Sequence, residues 1–457
     1  MLNYVWLGLI VLALLFGGFT GNIGPVGDAA VNSAKTAVTE VAFGLIGVVT
    51  LWMGLMRLAE KTGLVHRLGL ALKPIMRWLF PEVPADHPAM GAIILNVAAN
   101  ILGLNNAATP LGLRAMQELQ SLNRRPGVAT NAMCMLLAIN TSSITLIPVT
   151  AIGLLAAAHG KDPTIIIGTS LAATAVAHFF AIASCKLLER TPFYRLPPLK
   201  EDAVDPSLEQ LESAPLTGAH GKAIEREAEA ADAGLPWVPG SRWILAGLGG
   251  LFLAMLFFTA FPEYFRQGHA ITAEEFHRSM PIRLLDGVSL LMLPWLIVFF
   301  PVYAALRRLP VYEEFVEGAK EGFNVILRIL PYIVGMLVAV GMFRAAGAMD
   351  LIARWLSPLT SLIGFPSELI PLAMLRPFSG AAGIPLLQDI IHRFGPDSFL
   401  ALTAGTMYGC SETTFYVIAV YFGSVGIRKT RHAIPAGIIA DIVGPIASVV
   451  ICRAVLG

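Results

Sequence analysis

Nine stretches of this chain are apolar over about the length a helix needs to cross a bilayer: Leu2–Phe19, Val41–Met56, Ala132–Ala158, Ile165–Leu188, Trp243–Phe261, Leu284–Leu306, Val325–Phe343, Phe399–Phe422 and Ala433–Leu456. A hydrocarbon core takes roughly 20 such residues. Lipid offers no partner to a backbone N–H or C=O, so a spanning segment must close its own hydrogen bonds as a helix or join a closed barrel. These runs read as helices, and they predict an all-α polytopic membrane protein of about nine full spans. Charge is scarce in keeping with that: 14% of residues are charged, against roughly 25% in a soluble domain.

The same numbers exclude several functions. A net charge of +1 gives no electrostatic basis for binding nucleic acid. The four cysteines (Cys134, Cys185, Cys410, Cys452) all lie in apolar runs without CxxC spacing. Neither a disulfide framework, a metal site nor a cofactor is therefore expected. Walker, GxGxxG, HExxH and GxSxG signatures are missing, so no enzyme is expected. Leu2–Phe19 has no basic flank and no small-residue cleavage site, and reads as a retained first span.

The chain also says nearly the same thing twice. Gly54-Leu-Met-Arg57, Gly63 and Leu72-Lys-Pro74 are echoed by Gly341-Met-Phe-Arg344, Gly347 and Leu356-Ser-Pro358. Asn106 to Pro110 is echoed by Ala381 to Pro385, Asn140…Gly153 by Cys410…Gly423, and Cys185-Lys186 by Cys452-Arg453. Between the copies, Glu189 to Gly240 is hydrophilic and lacks apolar periodicity, which predicts a flexible linker, with a short helix over Glu225–Ala231. The expected organisation is a first half at 1–188, a cytoplasmic linker at 189–240 and a second half at 241–457.

Basic clusters orient the spans. Lys61 to Arg77, Arg124-Arg125, Lys186 to Lys200, Arg307-Arg308 and Arg428 to Arg431 share one side if the N-terminus is cytoplasmic, with Pro262–Arg283 as the main outer loop. Matched spans then run in opposite directions, which predicts two inverted-topology repeats and a site between them near the bilayer midplane. Leu64–Phe80 and Met349–Ile363 read as amphipathic helices lying in the interface. Ala89–Gln117 and Leu369–Ile391 are too short or too broken for two crossings, and each is expected to form a re-entrant helical hairpin.

Polar residues cluster at these breaks. Asn96, Asn100, Asn105, Asn106 and Thr109 suit a neutral polar solute, or else tie helices together. Asn140, Ser142 and Ser143 are matched in the second copy by Ser411, Glu412 and Thr413. Glu412, inside an apolar run, is a candidate proton or coupling-ion carrier, or else an ion-pair partner of Arg376 or Arg344. Arg376, beside the hairpin break at Ser379, would attract an anionic group, or else cap carbonyls or pair with Glu412 or Asp389. Asp441 and His178 read as packing hydrogen-bond partners, and Arg57 and Arg344 as snorkelling residues at helix ends.

Gly54 to Gly63, Asp86-His-Pro-Ala-Met-Gly91 and Asn96 to Pro110 resemble the spore maturation A family. Arg376-Pro-Phe-Ser-Gly380, Gly395-Pro-Asp-Ser398, Ser411 to Tyr416 and Tyr421 to Ile427 resemble the spore maturation B family. The resemblance covers both halves, as in an A–B fusion. It implies a nucleoside-recognition or gate domain in each half, a label shared with concentrative nucleoside transporters and ferrous iron transporters. It also implies a bacterial cytoplasmic (inner) membrane location and a tie to late spore development and core dehydration. The reading that follows is a transporter-like protein moving or binding a small polar solute, neutral or anionic, between the repeats. Its expected partners are the lipid bilayer and that solute, with a homo-oligomer left open. The alternatives are a non-transporting scaffold or sensor in envelope or spore maturation and, more weakly, a metal ion permease.

Overall fold

The computed structural model of the chain describes residues 2–125, 127–142, 144–195, 235–261, 279–378, 380–410 and 412–456. The expected linker (189–240) and outer loop (262–283) fall largely outside the described residues, as does the short helix expected at Glu225–Ala231. Among the described residues the fold is helical throughout, and the one β feature is an isolated bridge between Val128 and Lys429. We number the helices α1 (Leu2–Thr20), α2 (Ile23–Thr36), α3 (Phe43–Lys61), α4 (Leu64–Leu79), α5 (Pro88–Leu102), α6 (Asn105–Ser121), α7 (Asn131–Thr141), α8 (Val149–Ala157) and α9 (Ile166–Leu188). The second half contributes α10 (Ser241–Ala260), α11 (Met280–Leu306), α12 (Val311–Ala345), α13 (Ala348–Leu362), α14 (Ile370–Leu375), α15 (Gly380–Phe394), α16 (Phe399–Cys410), α17 (Thr414–Ser424) and α18 (Ala433–Leu456).

Among the described residues six helical stretches are long and apolar enough to cross a bilayer: Ile23–Lys61, Pro163–Leu188, Ser241–Ala260, Met280–Leu306, Val311–Ala345 and Ala433–Leu456. The chain is thus a multi-pass membrane protein. α10 turns Trp243, Leu251, Leu253, Phe257 and Phe258 outward, as a lipid-facing helix does. Two expected spans are not continuous. Ala132–Ala158 is split into α7 and α8, and Phe399–Phe422 into α16 and α17. At the first break Pro148 lacks an N–H and disfavours helix in the residue before it. The second break, at 411–413, carries no proline and rests on tertiary contacts described below. The expected span Val41–Met56 is one part of a longer helical run that begins at Ile23 and passes through a π-turn at Ala37–Ala42.

The echoed glycines have identifiable jobs. Gly63 and Gly347 take φ of 72° and 79°, a left-handed conformation that lets α3 turn into α4 and α12 into α13. Gly54 and Gly341 are sites of close helix contact: a Cβ at Gly54 would lie 2.6 Å from the Phe315 ring, and one at Gly341 would lie 2.1 Å from Ser33 Oγ. Each turn leads into an amphipathic helix. α4 buries Val65, Gly69, Met76 and Leu79 and exposes Leu70, Ile75 and Trp78, while α13 exposes Leu351 and Trp355.

Matched helices pack side by side and run in opposite directions. Gly318 of α12 lies on Gly54 of α3, and Gly322 on Thr50, so one chain rises as the other descends. In the last pair Ala177 of α9 meets Gly444 of α18, while Thr169 near the start of α9 reaches Thr406, which also binds Cys452 near the end of α18. The basic clusters gather at one end. Arg431 donates to Tyr194 O, Ala129 O and Asn131 Oδ1, Asn131 donates to Glu82, and Arg67 and Arg307 both stack on Trp237.

Candidate functional site

Four interruptions of helix meet at one place. The first is the hairpin turn at Gly103-Leu104, between α5 and α6. His87 and Pro88 start α5, with His87 Nδ1 accepting from Ala89 N at 3.1 Å, and Gly103 ends it with φ of 74°. The second is the break at 142–148, joined to that turn by Leu146 N donating to Ile101 O at 3.2 Å. The third is the turn at Arg376–Phe378, between α14 and α15, and the fourth is the 411–413 break. Phe415 N donates to Pro377 O at 3.1 Å, joining those two. Glu412 N then donates to Thr141 O at 3.2 Å and ties the breaks of the two copies together. Backbone groups that a continuous helix would satisfy are satisfied here between elements, so the four turns hold one another in place.

The first copy supplies a closed amide network. Asn96 Nδ2 donates to Ala108 O at 2.8 Å, clamping the two legs of the hairpin. Asn140 Nδ2 donates to Asn96 Oδ1 (2.9 Å) and to Leu136 O (2.8 Å). Its Oδ1 accepts from Asn100 Nδ2 at 2.9 Å and from Tyr421 Oη at 3.3 Å. The Asn140 amide is thereby largely committed to protein partners. Ser142 Oγ donates to Ala138 O (2.7 Å) and lies 3.0 Å from His178 Nδ1, so His178 is a packing partner, as its lone position suggested. Thr109 is half-buried on α6. Asn105 and Asn106 open α6, and their side chains fall outside the described residues, as do Ser143, Ser379 and Ser411.

The second copy supplies charge. Arg376 is 7% exposed. Its Nη2 donates to Tyr408 O at 3.0 Å, its guanidinium lies 4.3 Å over the Tyr408 ring, and among the described residues its Nε has no hydrogen-bond partner. It caps a carbonyl at the end of α16, one of the alternatives open from sequence. Gly380 and Gly383 make room for it, since Cβ atoms there would lie 3.0 Å from Nη1 and 3.3 Å from Cδ. Glu412 is half-buried in the break, within electrostatic reach of Tyr408 and Tyr421. Thr413 is buried, and its Cγ2 would sit 3.5 Å from a Cβ on Gly380. The two echoed arginines do not snorkel freely. Arg57 pairs with Glu314 (2.8 Å) and Glu321 (3.0 Å), and Arg344 pairs with Asp389. Among the described residues no group of three or more His, Cys, Asp or Glu converges as metal ligands would, and all four cysteines are free and buried.

Two participants were hidden in the sequence, and a third stands otherwise than its sequence suggested. Tyr408 and Tyr421 look like ordinary aromatic residues of apolar spans; their hydroxyls turn out to bind Gly380 O and Asn140. Asp441, read as a packing partner, is 7% exposed, and among the described residues neither carboxylate oxygen has a partner at full hydrogen-bond geometry.

Comparison with known proteins follows the same division. Residues 42–158 and 326–428 match the family model described as nucleoside recognition (Gate). The chain is 44% identical over 176 residues to spore maturation protein B of Bacillus subtilis (strain 168), covering 99% of that protein and 38% of this chain. It is 42% identical over 195 residues to spore maturation protein A of the same organism, covering 97% of that protein and 43% of this chain. The chain belongs to the spore maturation A/B family. The two relatives match different parts of it, as they would in a fusion of A and B. At this level it is a membrane protein of transporter-like type. The two family-model segments begin at the start of α3 and within α12, so each carries one hairpin and one broken helix of the site.

Proposed function

We propose that this chain binds and moves a small polar solute, bearing an anionic group, where the two broken helices cross. The observation that carries this reading is the convergence of two hairpin turns and two helix breaks on the Glu412–Thr141 contact. Broken helices at membrane depth supply half-helix termini, whose partial charges suit a polar ligand. Arg376 and the N-terminus of α17 would face the anionic group. Glu412 would accept from a hydroxyl or amine of the same solute. Asn96 and Asn140 serve as scaffold in this reading, and Asn100 stands at its edge. Rocking of one copy against the other would alternate access. The protein would sit in the cytoplasmic membrane with its N-terminus inside, which the gathering of basic clusters at one end supports.

The test is uptake by the reconstituted full chain, together with thermal stabilisation by a panel of nucleosides, amino acids and small carboxylates. Arg376→Gln and Glu412→Gln should each weaken binding of a responding solute roughly tenfold or more, as loss of a charge-assisted hydrogen bond does. Asn105→Ala and Asn106→Ala probe the first hairpin turn. Uptake and binding unchanged in both charge variants would remove the site assignment.

A further inference from the structure

We propose that Asp441 takes up a single positive charge, a sodium ion or a proton, at the helix break of the second copy. α18 packs on that break along one face. A Cβ at Gly437 would lie 2.5 Å from Thr414 Cγ2, and one at Gly444 would lie 3.3 Å from Cys410 Sγ and 3.9 Å from Cys410 O. Positions four before and three after Asp441 share its helix face. The carboxylate therefore stands opposite the gap between Cys410, which ends α16, and Thr414, which begins α17.

That carboxylate is more than nine-tenths buried, and among the described residues neither oxygen accepts a hydrogen bond. The Thr414 hydroxyl lies close enough to act on the carboxylate as a weak donor, but the contact falls short of full hydrogen-bond geometry, so neither group is firmly paired among the described residues. An uncompensated carboxylate inside a membrane helix is strongly unfavourable. The other ionisable groups near it do not remove the charge. Arg376 attracts it from the hairpin turn with its own Nη2 held by Tyr408 O. Cys410 is a neutral thiol bonded to Met407 O and Ser448, and His178 on α9 is held by Ser142.

A cation fits the groups that remain. The Asp441 carboxylate, the Thr414 hydroxyl and the Cys410 carbonyl are hard oxygen donors, the type alkali and other hard cations prefer. A proton taken from solvent onto the carboxylate would neutralise the same charge with no further ligand. The first copy has no equivalent. Spacing from the Cys185/Cys452 echo puts Thr174 at the matching place, and its hydroxyl bonds back to Ser170 O at 2.7 Å.

The experiment uses the purified full chain and no solute, so its failure leaves the solute-binding reading standing. Melting temperature is followed in two arms: sodium chloride replacing choline chloride at about pH 8, and a fall in pH in choline chloride alone. Wild type should be stabilised in at least one arm. Asp441→Asn and Asp441→Thr, the residue of the first copy, should lose that response and be no less stable than the unliganded wild type. Thr414→Val separates the two cations: it should weaken the sodium response roughly tenfold, as loss of a supporting oxygen does, and should keep or strengthen the proton response, because a donor to the ionised carboxylate is lost. His432, at the start of the same helix, titrates in both wild type and variants, so only their difference is read. A wild type that responds in neither arm, or a response that survives in both Asp441 variants, overturns the proposal.

Discussion

Gly112 on α6 is where the first hairpin touches the broken helix of the other copy, and alanine there should be costly. A Cβ at Gly112 would lie 2.1 Å from Tyr421 Oη, 2.4 Å from Cζ and 2.7 Å from Cε2. The ring must therefore move, and its hydrogen bond to Asn140 is lost. Overpacking a filled site costs about 1–3 kcal/mol, and the lost hydrogen bond about 1 kcal/mol. Alanine in place of glycine in a helix interior returns about 1 kcal/mol. The net for Gly112→Ala is a loss of roughly 2 kcal/mol. The ring atoms supply the control. Tyr421→Phe alone should cost about 1 kcal/mol, for the hydroxyl only, and should not rescue Gly112→Ala, because Cζ and Cε2 still overlap the methyl. Tyr421→Val should relieve the overlap, so the double variant with Gly112→Ala should be more stable than the two single losses added together. Thermal unfolding in detergent, scored by the fraction remaining monodisperse, ranks wild type and these variants. A Gly112→Ala protein as stable as wild type would mean that α17 does not lie against α6, and the crossing of the two copies would have to be abandoned.

Arg57→Ala should cost about 1 kcal/mol, because its carboxylate partners Glu314 and Glu321 are 25% and 49% exposed and solvent screens the pairs; high salt should shrink the difference in melting temperature. Trp237→Ala removes the surface on which both Arg67 and Arg307 stack, at 4.7 and 4.9 Å, and should cost about 1–2 kcal/mol, read by the same melting assay. Burial, with Arg431 and Lys186 nearby, pushes the His432 imidazole down to about 4, so the unfolded chain binds a proton below about pH 6.5 that the folded chain refuses. Stability should therefore fall as pH drops from about 6.5 towards 4, and His432→Phe should flatten that slope in a melting-temperature series against pH.

The apolar runs, the helix-turn-helix hairpins and the amphipathic helices α4 and α13 were legible because each is set by local rules: length against bilayer thickness, proline and glycine at turns, and a 3.6-residue period. The echoes were legible too, and Gly54/Gly341 and Gly63/Gly347 turn out to mark close contacts and left-handed turns. The two broken helices were not. Asn140 to Pro148 and Cys410 to Thr414 sit in runs apolar enough to read as single spans. What interrupts the second is contact with Thr141 and Pro377, more than thirty residues away in sequence. Roles of polar residues were legible in kind but not in assignment. A row of asparagines at helical spacing is equally a ligand shell or a clamp. Only the partners Ala108, Leu136 and Tyr421 reveal how much of it is clamp.

The two copies share a frame and divide the work. At the break, the first copy places Ser142 and the second Glu412. On the last helix the first places Thr174 and the second Asp441. In the first copy these polar groups are closed: Ser142 on Ala138 O and His178, Thr174 on Ser170 O, Asn140 on four partners. In the second they are open: among the described residues Arg376 Nε, Thr414 Oγ1 and both oxygens of Asp441 have no partner at full hydrogen-bond geometry. A neutral group that is already bonded changes little in energy when its surroundings shift slightly, whereas a buried charge without a partner changes a great deal. A small movement of the second break against α18 would thus be felt strongly by Asp441 and Arg376, while the same movement in the first copy would meet a clamp. The two broken helices run antiparallel and brace each other, with Gly405 against Leu155 and Ala151 and Gly409 against Pro148. With Glu412 and Asp441 standing where the first half has Ser142 and Thr174, the second break would be the part that responds.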